Sequence, residues 1–173
     1  GEGVWLIGVD GTRYLDAYNN VASVGHCHPR VVDAVSRQMA TLNTHSRYLC
    51  EIVYTYAERL LATLPLELSQ IVFTCTGSES VDLSLRIARA VTGGTGFIVT
   101  ANAYHGNTLA VTQISPSSTS AEPRGPHVFL VPAPDTYRSP SDSAGSIFAA
   151  NIRRAISAMN RKKIHLAGLV ADS

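Results

Sequence analysis

The stretch Ile71–Arg89, IVFTCTGSESVDLSLRIAR, decides the fold of this chain. Ile71–Thr74 is a short run of β-branched and aromatic residues, which is typical of a buried strand. Gly77 and Ser78 interrupt the run, and the apolar spacing from Glu79 to Val91 then indicates a helix. The sequence therefore predicts a strand, a glycine turn and a helix in direct succession.

A helix that starts directly after a glycine turn is a potential anion site. Ser78 is a favourable N-cap, and Glu79 and Asp82 suit the positive end of the helix dipole. The free backbone N–H groups at the helix start favour a phosphate. Gly77 would let the phosphate come close to the backbone, and the Ser78 hydroxyl could donate a hydrogen bond to it. A βα turn without a ligand explains the same residues, and the Glu79 carboxylate counts against an anion unless it is paired. This stretch alone slightly favours the turn without a ligand.

The composition is that of a globular protein that can build one sizeable core, with 45% hydrophobic residues among 173. The net charge of +1 gives no electrostatic reason to expect nucleic acid or an anionic membrane as a partner. No apolar run approaches the ~20 residues that span a bilayer. Cys27, Cys50 and Cys75 are irregularly spaced, which predicts reduced thiols. We therefore expect a cytoplasmic location and leave a mitochondrial one open.

Strands and helices alternate along the chain, which predicts a mostly parallel sheet with flanking helices. Asp10-Gly11 between two apolar runs predicts an N-terminal β-hairpin. Ser, Thr and Pro residues predict a surface loop over 115–125, and a second loop is expected over 132–143. The remaining expected elements are helices at 29–42, 48–64, before Thr112 and at 146–161, and strands at 96–100, 127–131 and 164–171.

Ligands of such sheets bind beyond the C-terminal ends of the strands. Two of the expected strands end near Thr74 and Thr100, just before polar and aromatic residues. This placement makes an anion site as plausible as a turn without a ligand. The rule puts four residues on one rim: Gly77, Ser78, Tyr104 and His105.

Six short segments follow one another in an order that is more specific than any one of them. They are YLDAYNN (14–20), GHCHPRVV (25–32), LNTHSRYL (42–49), TGSES (76–80), AYHGNT (103–108) and APDTYR (133–138). Together they resemble the class III aminotransferases, a fold type I family that depends on pyridoxal 5′-phosphate (PLP). The resemblance implies an α/β fold: part of the large domain of such an enzyme, preceded by a β-hairpin. Residues 1–45 would form the hairpin and helix segment, and 46–173 an incomplete PLP-binding domain.

The resemblance also implies the cofactor-binding residues. Gly77 and Ser78 would bind the phosphate of PLP, Tyr104 would stack on its pyridine ring, and His105 would shape the same loop. Family members usually have Ser-Gly-Ser/Thr-Glu-Ala at this turn, whereas this chain has Thr-Gly-Ser-Glu-Ser over residues 76–80. These changes are small and should preserve the backbone geometry.

Asn20 and Val21 would lie near the substrate entrance, and the segment 42–48 near the interface of a homodimer. The implied activity is the transfer of an amino group between an amine or amino acid and a 2-oxo acid. Three segments, NNVASVGHCHP, LNTHSRYL and APDTYR, look most like the phospho-lyase branch, which acts on ethanolamine phosphate or phosphohydroxylysine. A PLP-dependent phospho-lyase is therefore the alternative.

The sequence contains no candidate for the catalytic lysine. Its two lysines, Lys162 and Lys163, enter the last expected strand at its N-terminal end, which is the wrong edge of the sheet. The family's Schiff-base lysine and pyridine-nitrogen aspartate come later than Ser173. We therefore expect a fragment truncated before the catalytic lysine, inactive by itself. Asp172 replaces a commoner glutamate, which puts a substrate-side role there in doubt.

Two hypotheses in which the chain is not an enzyme stay open. The chain could be a non-enzymatic phosphate-binding module, or a remnant that only dimerises. No GxGxxG follows a strand and no GxxxxGK[ST] occurs, which disfavours dinucleotide and P-loop sites. His26 and His28 flank Cys27, but no further pair stands at ligand spacing, so we expect no metal site.

Overall fold

The structure, a computed structural model, describes residues 1–18, 23–117, 123–138 and 141–172, without the side chains of residues 141 and 142. The chain divides into two compact units, Gly1–Ile71 and Val72–Ser173. The expected boundary between residues 45 and 46 falls inside the first unit, and the division of the chain into domains stays a prediction.

The first unit begins with the expected hairpin. Strands β1 (Trp5–Ile7) and β2 (Arg13–Leu15) pair antiparallel. Gly11 adopts a positive φ of 82°, and Asp10 Oδ1 accepts a hydrogen bond from the Thr12 N–H at 3.0 Å. A short polar side chain that bonds its own turn and a glycine with a positive φ are what a tight hairpin requires. The hairpin prediction is confirmed.

Two helices complete the first unit. Helix α1 spans Pro29–Thr41 and begins at a proline, whose missing N–H is harmless in the first turn. Helix α2 spans Glu51–Leu61 and starts three residues later than expected, because the chain turns at Tyr48, whose N–H bonds the His45 carbonyl. Both helices are confirmed, and neither buries a side chain within this chain.

A three-stranded parallel sheet is the centre of the second unit. Its strands are β3 (Gly96–Thr100), β4 (Val128–Val131) and β5 (Leu166–Val170), in the order β4-β3-β5. All five residues of β3 are buried, since it has a strand on either side and helices over both faces. The parallel sheet and these three strands are confirmed.

Helices α3 (Gly77–Thr92) and α4 (Leu109–Thr112) cover one face of the sheet, and α5 (Ser141–Arg161) covers the other. The period of two in β3 directs its side chains alternately to the two faces. The first core contains Leu85, Phe97, Val99, Val111, Ile114, Val128 and Ala167. The second contains Ile98, Val131, Ala155 and Met159.

Three expectations about the chain from Ile71 onward are wrong. Ile71–Thr74 pairs with no strand in the described part of the chain, and Val72 and Phe73 are 67% and 45% exposed. β-Branched and aromatic residues fit a pleated, half-buried surface, so without a neighbouring strand their pattern does not make a strand. Helix α5 begins five residues before Ser146, which shortens the expected loop. Ser115, expected on the surface, is 4% exposed.

None of the helices in the described ranges is both long and apolar enough to cross a bilayer.

Candidate functional site

The start of helix α3 is closed by a capping box. Thr76 is the N-cap, and its side chain accepts a hydrogen bond from the Glu79 N–H at 3.1 Å. The Glu79 carboxylate accepts in return from the N–H groups of Cys75 and Thr76, at 2.7 and 3.1 Å. The expectation that Ser78 is the N-cap is wrong, because the extended residue is Thr76 and Ser78 is already helical. Glu79 is thus paired with backbone donors, as a neighbouring anion site would require.

The next two residues leave an open cradle at the helix start. The first N–H groups of a helix have no acceptor within the helix, and among the described residues those of Gly77 and Ser78 have none elsewhere. A Cβ built on Gly77 would meet no atom within 4 Å. The cradle therefore offers two N–H donors at the positive end of a helix dipole, with space in front of them.

The loop after β3 packs directly on this helix start. Ser78 Oγ donates to Asn107 Oδ1 at 3.0 Å and accepts from the Asn107 N–H at 3.1 Å. Gly106 has a φ of 136°, and a Cβ built on it would lie 2.6 Å from Ser78 Oγ. The structure thus joins Ser78 to the loop that carries Tyr104 and His105, although no strand precedes Ser78. Asn107 is not among the site residues that the sequence predicts, and its position within the AYHGNT segment is the one sequence feature that points to it.

A second bond joins the same loop to helix α3. Thr108 Oγ1 donates to Asp82 Oδ2 at 2.6 Å, and the Thr108 side chain also accepts from the Val111 N–H as the N-cap of α4. Asp82 was expected to favour the helix start through its charge. Its carboxylate instead fixes the distance between the two helix starts.

Tyr104 presents its ring to solvent, with 57% of the residue exposed. Its N–H points to Asp172 Oδ2 at 3.5 Å, and Asp172 N–H donates to Thr100 Oγ1 at 3.0 Å. Asp172 therefore connects the end of β5 to the end of β3 and to the loop that follows it. A flat aromatic ring with a free face beside an anion cradle suits the binding of an aromatic phosphate ester.

His105 lies deeper than Tyr104. Its N–H donates to Ser115 Oγ at 3.0 Å, and its Nε2 is buried with no hydrogen-bond partner among the described residues. Burial lowers the pKa of the His105 imidazole below its ordinary value, and the carboxylate of Asp172 acts in the opposite direction. The ring is therefore neutral near pH 7, with one buried polar atom unsatisfied.

The two lysines lie at the other edge of the sheet. Lys162 and Lys163 follow the last turn of α5 and precede β5, whereas Asp172 follows that strand. The ammonium of Lys162 lies 5.5 Å from the centre of the Phe129 ring. Both lysines therefore enter β5 at the end opposite to Asp172, and the expectation that neither serves as the Schiff-base lysine stays a prediction.

Asn20 and Val21 lie outside the described residues, so their place at a substrate entrance stays a prediction. No group of three or more histidine, cysteine or acidic side chains that would hold a metal ion occurs in the described ranges. In the GHCHP segment, His26 Nε2 pairs with Asp16 Oδ2 at 2.7 Å.

The sequence is similar to a large group of known proteins. The profile of the family described as "Aminotransferase class-III" matches residues 1–172. An alanine–glyoxylate aminotransferase 2-like protein of Drosophila melanogaster is 36% identical over 183 aligned positions, which cover 100% of this chain and 37% of the relative. The ethanolamine-phosphate phospho-lyase homolog 1 of Caenorhabditis elegans is 40% identical over 131 positions, covering 73% of this chain and 27% of the relative.

Solved structures match the same fold. A phospholyase from Arthrobacter in complex with phosphoethanolamine superposes with a TM-score of 0.90 at 38% identity, covering 99% of this chain and 42% of the other. The taurine:2-oxoglutarate aminotransferase of Bifidobacterium kashiwanohense, in complex with PLP and glutamate, gives 0.82 at 22% identity and covers 99% and 41%. The expected fold is confirmed, and the chain spans less than half the length of these relatives.

Proposed function

The chain belongs to the class III aminotransferase family, and on that premise we propose that its α3 start is the phosphate-binding turn of a PLP site. One observation carries the proposal: within the described ranges the N–H groups of Gly77 and Ser78 have no acceptor and a Cβ on Gly77 would meet no atom, while the Glu79 carboxylate bonds back into a capping box. The residues present therefore fit a phosphate group.

Each residue of the cradle has a separate task. The N–H groups of Gly77 and Ser78 donate to the phosphate oxygens, and the helix dipole favours their negative charge. Ser78 Oγ keeps the hydrogen bond from the Asn107 N–H and turns its own proton from Asn107 Oδ1 to a phosphate oxygen. A Cβ at Gly77 would occupy the space that the phosphate needs.

The loop residues orient the ring of the bound group. Tyr104 offers its exposed ring for stacking, and the backbone N–H of His105 anchors the loop through its hydrogen bond to Ser115 Oγ. When bound, PLP supplies an electron sink for bond cleavage next to the substrate nitrogen. The catalytic lysine and the partner of the pyridine nitrogen are not assigned to any residue of this chain.

For the substrate we propose a phosphorylated primary amine of the ethanolamine phosphate type. The Arthrobacter phospholyase and the nematode phospho-lyase homologue, at 38% and 40% identity, support this choice. Amino transfer to a 2-oxo acid is the second candidate, which the insect aminotransferase-like protein supports at 36% identity over the whole chain. A homodimer stays a proposal drawn from the family resemblance, and a cytoplasmic location stays one drawn from the irregular spacing of the three cysteines.

The cradle is tested by titrating the purified chain with pyridoxamine 5′-phosphate and with pyridoxamine, followed by calorimetry. Both ligands carry an amine where PLP has an aldehyde, so their binding does not depend on a lysine. We expect the phosphate ester to bind and pyridoxamine not to. Ser78→Ala should weaken binding about tenfold, since a hydrogen bond to a charged group contributes about 1.5 kcal/mol.

Ser84→Ala is the matched control, because Ser84 lies on the same helix and its hydroxyl bonds, among the residues described, just the Ser80 carbonyl. Equal binding of the two ligands, or equal effects of the two variants, would overturn the cradle. The substrate is tested with a PLP-loaded protein that extends past Ser173 and includes a catalytic lysine: release of ammonia and inorganic phosphate from ethanolamine phosphate identifies a phospho-lyase. Transfer of the amino group to pyruvate or 2-oxoglutarate identifies a transaminase instead.

A further inference from the structure

The loop between β3 and α4, residues 101–108, is shaped by side chains from elsewhere in the chain. Its residues 101–107 belong to no helix or strand, so their backbone groups need other partners. The Ala103 carbonyl accepts from both the N–H and the hydroxyl of Ser117, at 3.1 and 2.9 Å. The Asn107 N–H donates to Ser78 Oγ, as described above. Between these two anchors lie Tyr104 and His105.

Ser115 is the anchor at the middle of the loop. It is 4% exposed, and its Oγ accepts the His105 N–H at 3.0 Å. The Ser115 hydroxyl lies 2.8 Å from the Val111 carbonyl and 3.3 Å from the Gly106 carbonyl, to either of which it donates. The buried Ser115 hydroxyl thus accepts one hydrogen bond from the loop and donates one to the loop or to α4.

This hydrogen bond bears directly on the Tyr104 ring. The His105 N–H belongs to the planar peptide group that joins Tyr104 to His105, so fixing it restricts the ψ angle of Tyr104. Tyr104 as a residue is more than half exposed, and its N–H lies 3.5 Å from Asp172 Oδ2, at the limit of a hydrogen bond. The shorter bond at Ser115 is therefore the stronger restraint on the direction of the ring.

We propose that Ser115 is a positioning residue for the PLP ring: it orients the Tyr104–His105 peptide and through it the stacking face of Tyr104. The inference rests on the proposed cofactor site and adds a residue that, among the described residues, forms no hydrogen bond with Gly77 or Ser78. It separates two functions within the site. Gly77 and Ser78 bind the phosphate, whereas Ser115 holds Tyr104 in the orientation that stacks on the PLP ring.

The test compares the intact chain with Ser115→Ala, Ser115→Thr and Ser84→Ala. Amide hydrogen exchange of His105, without any ligand, reports the hydrogen bond itself. Binding of inorganic phosphate reports the cradle alone, and binding of pyridoxamine 5′-phosphate reports cradle and ring together. The ring signals of Tyr104 in NMR spectra show directly whether stacking occurs.

Ser115→Ala should accelerate exchange at His105 and weaken pyridoxamine 5′-phosphate binding by roughly fivefold, as the loss of one neutral hydrogen bond predicts. Phosphate binding should not change, and the ligand-induced shifts of the Tyr104 ring should disappear. Ser115→Thr restores the hydroxyl and should restore all three properties. Ser84→Ala should behave like the unmodified chain. If Ser115→Ala does not fold, Ser115→Cys keeps the volume with a weaker acceptor and should show the same changes in smaller size.

Unchanged exchange at His105, or an equal loss of phosphate and pyridoxamine 5′-phosphate binding, would overturn the role of Ser115. If the unmodified chain binds neither ligand, the proposed cofactor site fails and the positioning role falls with it. That failure is recognisable, because exchange at His105 would still respond to Ser115→Ala.

Discussion

Replacing Gly106 by alanine should destabilise the second unit far more than replacing Gly77 by alanine. Gly106 has a φ of 136°, a conformation that favours glycine. A Cβ there would lie 2.6 Å from Ser78 Oγ and 2.9 Å from Ser78 Cα. The hydroxyl can rotate away, but the Cα belongs to a helix start that the capping box of Thr76 and Glu79 holds. The loop must therefore move instead.

The cost has two parts. A residue other than glycine in such a backbone conformation costs about 1–3 kcal/mol, and an extra methyl group in a packed contact costs about 1–3 kcal/mol. We expect Gly106→Ala to lower the free energy of unfolding by about 3 kcal/mol in total. For a unit of roughly 100 residues this corresponds to a melting temperature lower by about 12–24 °C.

Urea unfolding followed by far-ultraviolet circular dichroism measures this loss. Tryptophan fluorescence would not report it, because the single tryptophan, Trp5, lies in the first unit. Gly77→Ala is the matched control: its Cβ would meet nothing within 4 Å, so stability should stay the same or rise by up to about 1 kcal/mol. The same variant should nevertheless lose pyridoxamine 5′-phosphate binding. A Gly106→Ala variant within about 1 kcal/mol of the unmodified chain would refute the close contact between the loop and Ser78.

Two further predictions concern the ends of helix α3. Thr76→Ala removes the N-cap and should destabilise the second unit by about 1 kcal/mol, measured by urea unfolding, whereas Thr76→Ser keeps the oxygen and should not. At the other end, burial and then the Arg89 charge lower the pKa of His127 from its ordinary value of 6.5. The unfolded chain therefore takes up the proton first, and stability should fall as the pH drops below about 6.5. His127→Gln should make the urea midpoint less dependent on pH between about 7.5 and 5.5; an unchanged dependence would contradict this assignment.

The sequence by itself determined the local elements. Asp10-Gly11 produces a hairpin, and the apolar period from residue 79 onward produces helix α3, because both signals act between residues a few positions apart. The alternation of strands and helices also predicted the parallel sheet. The rule for such a sheet placed Ser78 at the end of a strand that does not form, and Ser78 meets the Tyr104 loop instead through its hydrogen bonds with Asn107.

Only the tertiary structure decided which of these signals become contacts. Ile71–Thr74 has the composition of a strand but forms none, since β-structure needs a partner strand that composition does not specify. Ser115 looks like a loop residue, yet packing buries it under His105. Ser78 and Asn107 are 29 positions apart and exchange two hydrogen bonds because two helix starts converge there. Secondary-structure propensity depends on residues a few positions apart, so the sequence shows it directly. The geometry of the cradle depends on side chains that are distant in sequence and that only folding brings together.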